Sequence, residues 1–416
     1  MHPMHARRLL ATALGAAALL SVAACSGGDD PPPVPITDGD PSDVPIAGAP
    51  AEWVFTFNKG DELFDLALRD ADGLGPLYTR VACSGCHEGA ARGPGIVKKM
   101  SVVEADGMTP STDQSELAYG HTVHPLMTAG ATMPIVPPAG ATNVRVSTRV
   151  GPPVFGRGYM EAILDSEIER VAAEQATRQD GIHGHVNYVT YASQPNPDTR
   201  FHTHQPGDTV IGRFGLKARV ATLDDFTADA LAGDMGITSP LRPVEFANPD
   251  GLTDDAKPGI DVTIDSVNDR ADYTRLLAIP RRPKDDAAGR AVFAEAHCDG
   301  CHVPTLRTRS DYPIPMLANI DAPVFTDLLL HDMGDGLADS LEGVDGDTAG
   351  PRDWRTAPLI GLRFDRTYMH DGRCTSLRDA VLAHDGKGSE AHDSVARFLA
   401  LAPEKQQLLL DFVGAL

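Results

Sequence analysis

The chain has 416 residues, 42% hydrophobic and 23% charged, which excludes a fully disordered chain and leaves room for two or three domains. With 36 basic against 58 acidic side chains the net charge is −22, which argues against a nucleic-acid partner, because phosphate binding needs a basic face. Only one apolar stretch, near the N-terminus, approaches membrane length, so a multi-span membrane protein is excluded too.

Residues 1–24 place His5, Arg7 and Arg8 ahead of an apolar run from Leu9 to Ala24, the pattern of an export signal rather than of a fold element. The run ends Val22-Ala23-Ala24-Cys25, which resembles the lipobox of bacterial lipoproteins. That resemblance implies a lipid on Cys25 as the new N-terminus. Ser26 beside it is the neighbour usual in outer-membrane lipoproteins. Residues 25–50, rich in Gly, Asp and Pro, are expected to be a disordered tether. The expectation is therefore an exported, periplasm-facing lipoprotein, in the outer membrane, touching the membrane through its anchor only.

A helix expected over Glu52–Leu68 leads into Cys83-Ser84-Gly85-Cys86-His87, and residues 88–150 read as loop. Phe155–Ala176 reads as one helix, with Met160, Ile163, Leu164, Ile168 and Val171 on a shared face. A His-rich connection follows from His183 to Gly215, then a helix over about Leu223–Leu231 and a linker over Pro240–Pro258. The helix Ala287–Ala296 enters Cys298-Asp299-Gly300-Cys301-His302, and two further helices are expected over Leu377–Ala383 and Pro403–Leu416.

The two Cys-x-x-Cys-His motifs carry the chemistry. Cys83 and Cys86, and Cys298 and Cys301, have the spacing that attaches the two vinyl groups of a c-type haem, with His87 and His302 as proximal iron ligands. A structural zinc site is disfavoured because a histidine directly after the second cysteine is poorly placed for a tetrahedron. A thioredoxin-type motif would need a βαβ context that neither site has. Cys374 reads as a small buried residue. Two covalent haems are expected, on a mainly α fold of two cytochrome c-like domains. These span residues 51–285, with a large loop-rich insertion, and residues 286–416. The acidic surface suits a small basic donor such as a cytochrome c.

Around these motifs the chain resembles the bacterial di-haem oxidoreductase family, also labelled thiol oxidoreductase and related to the di-haem cytochrome c peroxidases. The resemblance rests on Pro153–Ile163, Gly212–Ala218, Asp234–Thr238, Asp327–Gly334, Trp354–Leu359 and His370–Arg373. It implies an exported di-haem oxidoreductase, peroxidase-like, that reduces a small-molecule oxidant, the C-terminal haem relaying electrons to an accessible N-terminal one. It places His384 where relatives carry the distal ligand of the second haem. For the first haem His121, His124, Met127 and Met133 stay open as distal candidates, with His124 singled out, and His183, His185, His202 and His204 form a second polar cluster. Arg213, Arg355 and Arg373 are expected at haem propionates, and the acidic loop Asp335–Asp347 is the candidate for calcium. The family usually carries Trp at Leu216 and Ile360, so an inter-haem tryptophan would have to be Trp354. The competing reading is a non-catalytic di-haem electron-transfer lipoprotein, accessory to metal uptake. Mass spectrometry of denatured protein made with a haem-attachment system is expected to show two added haems, and one or none would refute the motif assignment.

Overall fold

The computed structural model describes residues 34–37, 42–252, 257–283, 286–340 and 349–416. The export signal, Cys25, the tether up to residue 33 and residues 341–347 of the acidic loop lie outside the described residues. Helix α1 (Ala51–Asp65) forms because Trp53, Phe57, Gly60 and Phe64 recur on one face, and all four are buried. Gly60 lets helix α5 (Ile264–Leu276) approach closely, since a Cβ there would run into the Asp269 carbonyl and the Tyr273 Cβ.

The single helix expected over Phe155–Ala176 is two. Helix α2 (Arg157–Ala162) ends at Ile163 and Leu164, both extended, and helix α3 (Asp165–Ala176) starts afresh with Asp165 and Glu167 in its first turn. The break lets α2 cross α5, with Gly158 pressed against the Arg275 carbonyl. Helix α4 (Leu223–Met235) runs four residues beyond its expected end, capped by the Thr222 hydroxyl at one end and Gly236 at the other. Helix α5 itself was not expected from the sequence.

In the second half, α6 (Ala287–Glu295) leads into the second motif and α9 (Pro403–Gly414) packs on it through Phe293, Leu409 and Phe412. Between them α7 (Leu377–Ala383) is capped by Ser376, and α8 (His392–Ala400) buries Val395 and Phe398. Helix makes up 32% and strand 15% of the structure. The strands form two-stranded ribbons, the longest pairing Ile96–Val102 with Val144–Val150 inside the region read as loop. Both motifs belong to one compact unit, Pro32–Leu416.

At the centre is a buried ion network. The Arg275 guanidinium meets Glu161 at 2.7 Å, Asp272 at 2.8 Å and Asp224 at 3.3 Å. Glu161 also accepts from the Tyr312 hydroxyl and the Leu223 amide, each at 2.7 Å. Asp224 in turn holds His202 at 2.9 Å and Asn196 at 2.7 Å. Burial alone would raise the Glu161 pKa, but the Arg275 charge and hydrogen bonds bring it below the ordinary range. Asp224 is lowered likewise, against its burial, by His202 and Arg275.

Removing the arginine leaves buried carboxylates without their counter-charge. Arg275→Met is expected to cost about 3–5 kcal/mol in urea unfolding. The sign of the pH dependence should change as well. Glu161 and Asp224, depressed in the wild type, contribute stability above the ordinary carboxylate range near ~4 and lose it as pH falls. In the variant burial dominates, so stability should instead rise on acidification towards ~4, above the window in which the wild type loses it. A wild-type-like profile would show that the network is not the constraint.

Candidate haem sites

The first motif folds as a short 3-10 turn, Cys83–Gly85, followed by Cys86 and His87. His87 donates its Nδ1 proton to the Pro152 carbonyl at 2.6 Å, which fixes the tautomer and leaves Nε2 as the coordinating atom. Burial lowers the His87 pKa to about 4, so the ring is neutral, as a ligand must be.

Cys83, Cys86 and His87 all open on one cavity, in part continuous with solvent. Its apolar wall is Phe64, Phe214, Leu223, Phe226 and Leu231. Four guanidinium groups line it as well: Arg80, Arg157, Arg270 and Arg355. Burial lowers Arg157 to about 9 and Arg355 to about 10. Arg157 donates to the Pro153 carbonyl and the Met160 sulfur, and Arg355 to the Gly215 and Thr356 carbonyls. Their hydrogen-bond partners are carbonyls and a thioether, and Asp365 and Asp327 act on them only through space, an environment that an anionic ligand suits. Two thiols, a neutral imidazole, an apolar wall and buried cations together fit a haem with its propionates. Of the arginines expected there from the sequence, Arg355 lines the cavity. Arg213 instead pairs with Asp165 and with carbonyls of the α2 C-terminus, and Arg373 pairs with Asp371.

One wall of the cavity is α4. Phe226, Thr227, Ala230, Leu231 and Asp234 recur at helical spacing and face inwards. Asp234 is a carboxyl in this wall, and burial raises its pKa to about 6. His121, His124, Met127 and Met133 are not among the lining residues. His124 is buried outside it, donating from Nε2 to the Gly233 carbonyl at 2.6 Å, so it braces the last turn of α4. His121 bonds the Met100 carbonyl, and Met127 and Met133 are exposed. His202 and His204 stack on each other at 4.8 Å beside the ion network, His183 bonds the Gln175 carbonyl, and His185 lies near Asp353. Sequence reasoning missed Arg157, Arg270 and Asp234 as lining residues. The i, i+3, i+4 spacing along α4 was the available signal for Asp234.

The second motif repeats the arrangement. Cys298–Gly300 is a 3-10 turn, and His302 Nδ1 donates to the Phe325 carbonyl at 3.1 Å. His384, at the end of α7, donates from Nδ1 to the Ala380 carbonyl at 2.7 Å. Both rings thus keep Nε2 for a metal. The two are electrostatic neighbours: burial first, and then the His384 ring, lower the His302 pKa to about 4.

The turn of the second motif is held by the first half of the chain. Gln175 and Arg178 donate to the Gly300 carbonyl at 3.1 and 3.3 Å, and Asp180 meets His297 at 2.7 Å. Cys301, Asp327 and His331 lie within 4.8 Å of one another, a spacing a metal ion would tolerate. His331, however, donates from both nitrogens, to Asp327 at 2.9 Å and Glu390 at 2.7 Å, so it has no lone pair to offer. It packs instead against the Cys301 sulfur at 3.8 Å.

Trp354 pairs across a ladder with His331, while the next residue, Arg355, reaches the first cavity. The indole stacks on His370 at 3.8 Å and lies under Lys217 at 4.6 Å and Arg149 at 5.7 Å. Its Nε1 donates to the Leu337 carbonyl. Two cations at the ring and a proton held by a carbonyl both oppose oxidation of this indole. Cys374 is buried and unbridged.

Two Cys-x-x-Cys-His motifs, each with an oriented histidine, lie in one folded body. Residues 139–416 match the family described as "Di-haem oxidoreductase, putative peroxidase", and the chain belongs to that family. The second motif lies inside the matched region and the first lies upstream of it. No curated protein matches the chain. Among solved structures, the chain is similar to a hydrazine synthase from Kuenenia stuttgartiensis at 13% identity, covering 99% of this chain and 100% of that one, with a TM-score of 0.39. It is also similar to the diheme peroxidase BthA from Burkholderia thailandensis, at 14% identity over 92% of this chain and 89% of that one, TM-score 0.39. A variant of BthA aligns at 15% identity over 83% and 74%, TM-score 0.34.

The geometry at His384 generates a spectroscopic test. In haem-loaded protein, His384→Ala is expected to convert one haem from low to high spin. His384→Met should keep it low-spin while raising its reduction potential, since a thioether favours ferrous iron. An unchanged EPR spectrum in the alanine variant would place the distal ligand elsewhere.

Proposed function

We propose that this chain is an exported di-haem c oxidoreductase that reduces a peroxide at its first site, using electrons relayed from the second. The observation that carries this reading is Asp234, a carboxyl set in the wall of the same cavity as Cys83, Cys86 and His87. A haem c held there would supply an iron that binds the oxidant. The protein's own part is to orient that group and to move protons. Cys83 and Cys86 tether it, His87 is aimed by Pro152, and Arg157, Arg270 and Arg355 neutralise its acidic edge. Asp234 would take a proton from the peroxide and return it to the leaving oxygen, which is general acid–base work.

The second site differs. His302 and His384 both keep Nε2 available, which supports a six-coordinate relay with two imidazole ligands and a low potential. Two cytochrome c-like folds, residues 51–285 and 286–416, would each carry one haem. The lipobox at Cys25 supports anchoring in the outer membrane, facing the periplasm. The net charge of −22 supports a small basic cytochrome as electron donor.

Burial holds Asp234 at about 6, so its base form is complete only above that pH. The rate of reaction with hydrogen peroxide, followed by stopped-flow absorption of the loaded protein, is expected to rise as pH increases through about 6. Asp234→Asn should slow it by about 10²-fold or more and flatten the profile. A variant that reacts as fast as the wild type would remove Asp234 from the mechanism.

A further inference from the structure

Behind the first cavity lies a tyrosine that the reaction above does not use. Tyr273, on the face of α5 turned towards α1, is 2% exposed. Its ring lies 5.0 Å from Phe64 and 5.0 Å from Phe57. Phe64 lines the cavity and its ring is 6.2 Å from that of His87. Arg270 and Thr274, on either side of Tyr273 along α5, line the same cavity. One aromatic layer therefore separates the phenol from the proximal histidine.

The hydroxyl end points away from the cavity, to the rim where α1 meets residues 42–43. It donates to the Ser42 carbonyl at 3.1 Å, and the Asp61 carboxylate lies close enough to act on it. Asp65 and Asp43 add negative charge around it. Burial and Asp65 both make Asp61 a stronger base than an ordinary aspartate. An oxidised phenol must lose its proton, and here a half-exposed carboxylate stands ready to take it.

Other buried aromatics lack this combination. Tyr312 donates to Glu161, but Arg275 holds that carboxylate in its charged form. Tyr159 donates to the Pro35 carbonyl too, but no carboxylate acts on its hydroxyl. The Tyr191 hydroxyl has no hydrogen-bond partner. Trp354 sits under two cations.

We infer that Tyr273 is a redox-active residue, an exit by which oxidising equivalents leave the first haem site through Phe64 when no electron arrives from a donor. The phenol O–H bond breaks: the electron goes to the oxidised first site and the proton to Asp61. A neutral tyrosyl radical and a protonated Asp61 remain. The oxidant is a peroxide, which takes up two electrons from the haem sites and two protons from solvent to give water and an alcohol, or two waters from hydrogen peroxide; Tyr273 returns one electron, and one oxidising equivalent stays at the haem sites. This inference rests on the peroxidase reading above.

The test uses the haem-loaded protein without electron donor, frozen at intervals after mixing with hydrogen peroxide, with haem absorption and EPR recorded on the same samples. A tyrosyl signal is expected that narrows with ring-deuterated tyrosine. It should be lost in Tyr273→Phe, which keeps the ring between Phe57 and Phe64, and should form several-fold more slowly in Asp61→Asn. A haem response with no tyrosyl signal, or with one that survives in Tyr273→Phe, overturns the inference while leaving the peroxidase reading intact. Should the haem bands not respond to peroxide, the peroxidase reading fails. Flash-generated tris(bipyridine)ruthenium(III) then serves as oxidant, and the presence or loss of the signal in Tyr273→Phe decides the inference.

Discussion

The structure depends on one guanidinium. Arg275 is buried with Glu161, Asp272 and Asp224 around it, and none of those carboxylates has enough water to stay charged alone. Glu161 belongs to α2, Asp224 to α4, and Asp272 to α5, while Tyr312 brings in the second half through Glu161. The guanidinium also stacks on Phe201, 3.6 Å from the ring centroid. Satisfying every member at once leaves little freedom in how α4 and α5 dock, and these helices furnish two walls of the first cavity. Ion pairing is thus what sets the shape of the apolar pocket. Hydrophobic burial alone is non-directional and would tolerate several dockings.

The electrostatics divide sharply between that network and the cavity beside it. In the network Arg275 keeps Glu161 and Asp224 charged, while burial still raises Asp272. In the cavity Arg157 and Arg355 keep a buried positive charge, and the histidine stays neutral. Burial acts on all of these groups in the same direction, against charge. The difference is how closely the chain supplies a counter-charge: around the cavity Asp365 and Asp327 act on Arg157 and Arg355 only through space.

The two motifs are built alike and held differently. His87 and His302 each give Nδ1 to a backbone carbonyl, so both rings are aimed by the chain rather than by a second side chain. The first motif sits against α1, α4 and α5. The second is gripped by Gln175, Arg178 and Asp180 at the end of α3, and by His331 against its second sulfur. A ladder runs between them, with Trp354 opposite His331 and Arg355 at the first cavity. The Leu216 carbonyl accepts the Arg355 amide at 3.0 Å.

What the sequence by itself determined is local. The haem-attachment motifs are spacing within five residues, and α1, α6 and α9 show their apolar faces at helical period. Elements whose partners are distant stayed hidden. Helix α5 reads as polar because its buried face carries Arg270, Asp272 and Arg275, whose compensating charges sit on other elements. The ribbon Ile96–Val102 with Val144–Val150 lacks a clean alternation, and its pairing spans more than forty residues. The break at Ile163 and Leu164 follows from packing α2 across α5, while the apolar period runs on through it. Only the tertiary structure put Asp234, Arg157 and Arg270 in one cavity and moved His124 behind its wall. A charged side chain becomes legible as a site residue when its burial and partners are known, and those are properties of docked helices rather than of the residue order.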